Sequence, residues 1–131
     1  MEVRSGDSAE LDVVVDVDDT AAALGSGSLR VLGTPRLLAW CEQATCRVLD
    51  GRLPEGSTSV GTTVRLDHLA PSDVGERLVV RAEVIAVDGR RVAFTVAATD
   101  AVGRVVGRGT VERVVVEADR FLARLRGQVH P

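Results

Sequence analysis

Apolar positions recur along the chain at two different periods, and the changes of period divide it into elements. Residues 10–17, Glu-Leu-Asp-Val-Val-Val-Asp-Val, alternate, with Leu11, Val13, Val15 and Val17 on one face. That pattern predicts a half-buried strand. Residues 18–33 lose the alternation and read as a short helical turn and a flexible Gly/Ser loop, either a surface connection or a lid over a pocket. From Thr34 to Leu49 the period becomes helical. At about 100° per residue, Leu37, Leu38, Cys41, Ala44, Thr45, Val48 and Leu49 fill one arc, and Arg36, Gln43, Arg47 and Asp50 the opposite one. Thr34 is placed to cap this helix with its hydroxyl. Pro35 stands where a missing N–H is no loss, and Asp50-Gly51 supplies the stop.

After a Pro/Gly/Ser loop at 51–57 the alternation returns. In 59–68, Val60, Val64, Leu66 and His68 share a face while Arg65 and Asp67 take the other. Two Val-rich runs, 77–87 and 91–99, flank Asp88-Gly89-Arg90, a strong hairpin signal. A last strand is expected over 104–116, where Gly107 and Gly109 interrupt the pattern and imply a bulge or a close backbone approach. Residues 118–126 read as a short helix with Phe121, Leu122 and Leu125 on one side. The order is strand, long helix, four consecutive strands. It predicts an α+β domain spanning 1–131, in which an antiparallel sheet of about five strands wraps one central helix, with a core over about 10–117.

Two residues break this pattern. Glu42 projects beside Leu38 and Leu49, roughly 100° from the middle of the polar arc. A carboxylate there is costly to bury unless paired, so it is either a rim residue paired with an arginine or part of a site. His68 points with the apolar set of its strand, either as a satisfied core histidine or as a reacting group.

Composition narrows the chemistry. A net charge of −3 gives no reason to expect nucleic acid or an anionic membrane as a partner, and no run approaches a membrane span. The chain has no Lys, which excludes Schiff-base chemistry and a Walker-type phosphate loop. With His130 beside the C-terminus, His68 is the one imidazole placed for catalysis. Cys41 and Cys46 project on different sides of their helix and cannot pair within it. No metal or cofactor is expected, and two unpaired thiols with no signal-peptide core imply a cytoplasmic protein.

Certain residues resemble a known family. Val64-Arg65-Leu66-Asp67-His68-Leu69-Ala70-Pro71, followed by Gly75, is similar to the hotdog thioesterase signature of a strand ending in His-x-x-Pro. More narrowly, Gly33-Thr34-Pro35, Ala39-Trp40-Cys41-Glu42, Ser59-Val60-Gly61-Thr62, Val87-Asp88-Gly89-Arg90-Arg91 and Gly109-Thr110-Val111-Glu112-Arg113 resemble the fluoroacetyl-CoA thioesterase-like branch, over roughly 31–125. The resemblance implies a hotdog fold and a homodimer with its acyl pocket at or near the interface. It implies a catalytic set of Thr34, Glu42 and His68, with Gly61 lining the pocket. Where the branch often has a histidine in the penultimate strand, this chain has Val111.

The implied reaction is hydrolysis of a small acyl-CoA, with coenzyme A arriving as part of the substrate. Glu42 would activate water or attack the carbonyl itself, His68 would orient the reacting groups or protonate the departing sulfur, and Thr34 would hold one of them. Arg113 is either an ion-pairing residue or a ligand for a coenzyme A phosphate. Members with a selective pocket can close it with bulky lid residues; here 20–30 offers Thr, Ala, Leu, Gly and Ser, which implies a more open pocket. Two rival readings are an enoyl-thioester hydratase and a non-catalytic acyl-CoA or acyl-carrier binding module. Asp67, on the opposite face from His68, argues against the hydratase.

Overall fold

The computed structural model describes residues 1–129, so His130 lies outside the described residues. The chain runs through β1 (Ser8–Val14), a 3₁₀ turn (Val17–Asp19), α1 (Ala21–Leu24), α2 (Thr34–Leu49), β2 (Ser57–His68), β3 (Arg77–Asp88), β4 (Arg91–Asp100), β5 (Val105–Glu117) and α3 (Ala118–Val129). The strands form one antiparallel sheet in the order β1-β3-β4-β5-β2, which leaves β1 and β2 at the edges. The sheet wraps α2, which packs against all five strands. The described helices include none long and apolar enough to cross a membrane.

The core is aliphatic because the chain has few aromatics to offer. Leu37, Trp40, Cys41, Ala44, Val48 and Leu49 from α2 meet Leu78, Val80, Val84, Val92, Phe94, Val106 and Val111 from the sheet. Each fully buried Val, Leu or Phe contributes about 1.5–3 kcal/mol over its exposed state. Val111 is fully buried among them, so its position is part of the packing.

The structure corrects three local expectations. β1 ends at Val14 instead of Val17, because Asp16 accepts from the Val17 N–H and Asp19 accepts from the Asp16 N–H, a reciprocal cap that starts the 3₁₀ turn. Val17 is consequently 44 % exposed. The helix cap is Gly33, not Thr34: Gly33 packs so closely on Ala21 that a Cβ would stand 3.1 Å from its backbone. Thr34 becomes the first helical residue and makes no cap hydrogen bond. The segment 18–33 is also less free than its composition implies. Thr20 bridges Leu32, Val31 bridges Asp73, and Thr20 and Leu32 are buried.

A fourth correction bears directly on the site. The β2–β5 register slips between Gly61 and Thr63, and this bulge reverses the alternation along β2. Gly61, instead of Val60, shares the helix-facing side with Val64 and Leu66, which pack against the core.

Candidate active site

Two groups of polar side chains line the helix face of the sheet, at different points along α2. The first forms at the start of α2. Because Gly33 takes the cap position, the Thr34 hydroxyl is free to meet another partner, and its Oγ1 lies 2.8 Å from His68 Nδ1. His68 is the last residue of β2 and pairs with Gly107 on β5. Gly107 leaves room for Leu37, whose Cδ2 would stand 2.8 Å from an added Cβ. A cavity of about 330 Å³ opens beside the pair, lined by Ala21, Val31, Leu32, Thr34, His68 and Pro71 among others. Burial lowers the His68 pKa below its usual 6.5, and the Ala70 backbone opposes the shift in part. Its Nε2 is nevertheless buried without a full hydrogen bond among the described residues. The lowered pKa favours the neutral imidazole at pH 7, with Nδ1 on Thr34 and Nε2 buried without a full partner.

The second group lies two turns further on. Glu42 follows Thr34 by eight residues, about 12 Å along the helix axis. Its Oε2 lies 3.3 Å from Nη1 of Arg113. Arg113, on β5, is only 7 % exposed. It donates from Nε to the Ser59 hydroxyl at 2.8 Å and from Nη2 to the Ser59 carbonyl at 3.2 Å. Gly61 is the register partner of Arg113 across the ladder. A Cβ on Gly61 would stand 2.5 Å from Glu42 Oε2 and 3.5 Å from Arg113 Nη1. The glycine thus opens the slot that the carboxylate occupies.

Cys41, next to Glu42, is the one neighbouring nucleophile to weigh. Burial first, and then the Glu42 charge, push its thiol up to about 12. It stays protonated and behaves as a small apolar core residue.

The five residues singled out from sequence therefore fall into two groups. Thr34 and His68 meet, and Glu42, Gly61 and Arg113 meet, but the carboxylate pairs with Arg113 and not with Thr34 or His68. The two open readings of Arg113 are also separated. It is an ion-pairing residue: its guanidinium is buried and bonded through all three nitrogens, which argues against a role as a phosphate ligand. Sequence reasoning missed Ser59. Its only signal is its place two residues before Gly61 on a strand adjoining Arg113, and that needs the cross-strand register.

Residues 15–119 match the model of the fluoroacetyl-CoA-specific thioesterase family. The fluoroacetyl-CoA thioesterase of Streptantibioticus cattleyicolor is 34 % identical over 96 residues, which covers 73 % of this chain and 68 % of that protein. Among solved structures, a variant of the fluoroacetyl-CoA thioesterase FlK in complex with acetyl-CoA superposes with a TM-score of 0.88 at 31 % identity, covering 98 % of this chain and 100 % of that one. A hot-dog-like protein from Thermanaerovibrio acidaminovorans gives a TM-score of 0.89 at 31 % identity, covering 97 % and 93 %. The α+β sheet wrapped on a helix is thus the hotdog fold that the sequence resemblance implied.

Proposed function

The chain belongs to the fluoroacetyl-CoA-specific thioesterase family and is a thioester hydrolase; from that premise we propose that it hydrolyses small acyl-CoA thioesters with Thr34, Glu42 and His68, in a site shared between two copies. The observation that carries this reading is the Thr34–His68 pair beside an apolar cavity, its imidazole shifted toward the neutral form and its Nε2 short of a full hydrogen-bond partner.

On this reading Thr34 donates to Nδ1 and leaves the proton on Nε2, and that N–H meets the acyl group once the ester is bound. The Glu42 carboxylate takes a proton from water as the water oxygen bonds to the thioester carbon. The carbonyl electron pair moves onto oxygen, where N–H donors stabilise it. When the tetrahedral intermediate collapses, the carbon–sulfur bond breaks and the thiolate takes the proton that Glu42 removed from water, which returns the carboxylate to its starting state. The alternative route bonds a Glu42 oxygen to the carbonyl carbon, expels the thiolate, and then hydrolyses the anhydride with water. Both routes need the same fixed carboxylate.

The separation of Glu42 from His68 supports the homodimer. β2 is an edge strand with one side unpaired, and pairing it with a copy of itself removes that exposed edge. An antiparallel β2 pair about a two-fold axis lays the Gly61 end of one strand beside the His68 end of the other. Glu42 of the partner subunit then reaches the cavity that Thr34 and His68 line. Cys41 and Cys46 are both free, which fits a reducing cytoplasm.

The cavity walls near α1 are small side chains such as Ala21 and Ser26, so we propose that the acyl group is not restricted to fluoroacetyl. Thiol release from acetyl- through octanoyl-CoA, fluoroacetyl-CoA and phenylacetyl-CoA tests this. Turnover of several acyl groups that collapses in Glu42→Gln and His68→Ala is the expected result. Tight binding of these esters without turnover would overturn the enzyme reading and leave a binding module.

A further inference from the structure

Arg113 is the most buried charged side chain beside the site, and the reaction as written gives it no role. Its three nitrogens are divided unequally. Nε and Nη2 both go to Ser59, one to the hydroxyl and one to the carbonyl. Two bonds to one residue fix the plane of the guanidinium, as a fork fixes a planar acceptor. The third nitrogen, Nη1, goes to Glu42 Oε2. Against the same oxygen, and close to Nη1 as well, lies Gly61, which presents no side chain. The carboxylate thus rests against a clamped cation and an adjoining bare stretch of backbone, and the ion pair engages Oε2.

We infer that Arg113 is a positioning residue for the hydrolysis: anchored on Ser59, it fixes the Glu42 carboxylate over Gly61 and binds no phosphate of coenzyme A. The inference rests on the thioesterase reading with Glu42 as its carboxylate. It explains why an arginine stands here, since a lysine's donors all sit on one nitrogen and lack the planar fork that spans the Ser59 hydroxyl, the Ser59 carbonyl and Glu42. It also gives the bulge at Gly61–Thr63 a function. The bulge turns Gly61 toward α2, and a side chain there would occupy the place of the carboxylate.

The experiment compares wild type, Arg113→Gln, Arg113→Lys and Ser59→Ala on acetyl-CoA and on acetyl-N-acetylcysteamine, which carries no phosphate. Positioning predicts that Arg113→Gln lowers kcat by about 10²-fold on both esters with KM for acetyl-CoA nearly unchanged. Arg113→Lys and Ser59→Ala fall between it and wild type. A rise in KM confined to acetyl-CoA, with kcat preserved, would make Arg113 a phosphate ligand and overturn the inference. Crystal structures of the same variants give a second readout that needs no turnover. Glu42 is expected to leave the Gly61 slot in Arg113→Gln, and a carboxylate that stays in place would also overturn the inference. Should Arg113→Gln fail to fold, Arg113→Lys and Ser59→Ala carry both readouts. Wild type that turns over neither ester would sink the thioesterase reading, while the crystallographic outcome would still decide the positioning role.

Discussion

The two polar groups at the two ends of α2's site-facing stretch are built on opposite principles. At the start of α2, Thr34 and His68 share one hydrogen bond beside an apolar cavity, and a buried ring nitrogen is left without a full partner. Two turns further on, Glu42, Arg113 and Ser59 form a connected set in which every nitrogen of the guanidinium is bonded. Leaving a buried donor unpaired costs about 1–3 kcal/mol, so an uncommitted nitrogen persists where a ligand will satisfy it. A carboxylate taken partly out of water demands a counter-charge, and it persists where the charge must be kept in one place. On the function proposed above, the first end receives an acyl group and the second holds a charge. Within one chain the two lie about 12 Å apart along the helix.

Removing the held charge gives the largest expected effect. Glu42→Gln should lower kcat by about 10³-fold in a thiol-release assay, with the fold retained by circular dichroism. Filling the slot sharpens the contrast without replacing any reacting group. Gly61→Ala places a methyl 2.5 Å from Glu42 Oε2, and the displaced carboxylate should cost about 10²-fold in kcat; unchanged kcat would show that the slot does not set its position. At the receiving end, Thr34→Val removes one hydrogen bond and frees the imidazole to turn. A loss of about tenfold in kcat/KM is expected, smaller than either change at the other end.

The smallest effect is in pH. Burial lowers the His68 pKa, so the neutral ring survives to lower pH than an ordinary histidine does. Activity that needs the neutral ring is therefore complete above 6.5 and falls as pH drops through a value below it. The pH profile of kcat/KM checks this, and an acid limb at or above 6.5 would contradict it.

How far the sequence disclosed these two ends follows from the physics of each. The element order, the α2 boundaries and the β3–β4 hairpin were legible because period and turn chemistry are local. Glu42 and His68 were legible because each placed a polar group on an apolar arc. Other features depended on tertiary contacts. Thr34 reads as a cap until Gly33 is seen packed on Ala21. Val60 reads as core-facing until the bulge after it reverses the alternation. Arg113 left two readings open because its partner, Ser59, lies 54 positions away in the chain. The distance between Glu42 and His68 was equally hidden, since a helical wheel shows direction and not height.

That distance gives the central test. Glu42→Gln and His68→Ala are each expected to be inactive, so they can be mixed at equal concentration and allowed to exchange subunits. If the site is shared, random exchange makes half of the dimers mixed, with one intact site in each, and about a quarter of wild-type activity returns. No recovery after exchange is shown to be complete would contradict the shared site and require Glu42 to reach His68 within its own chain.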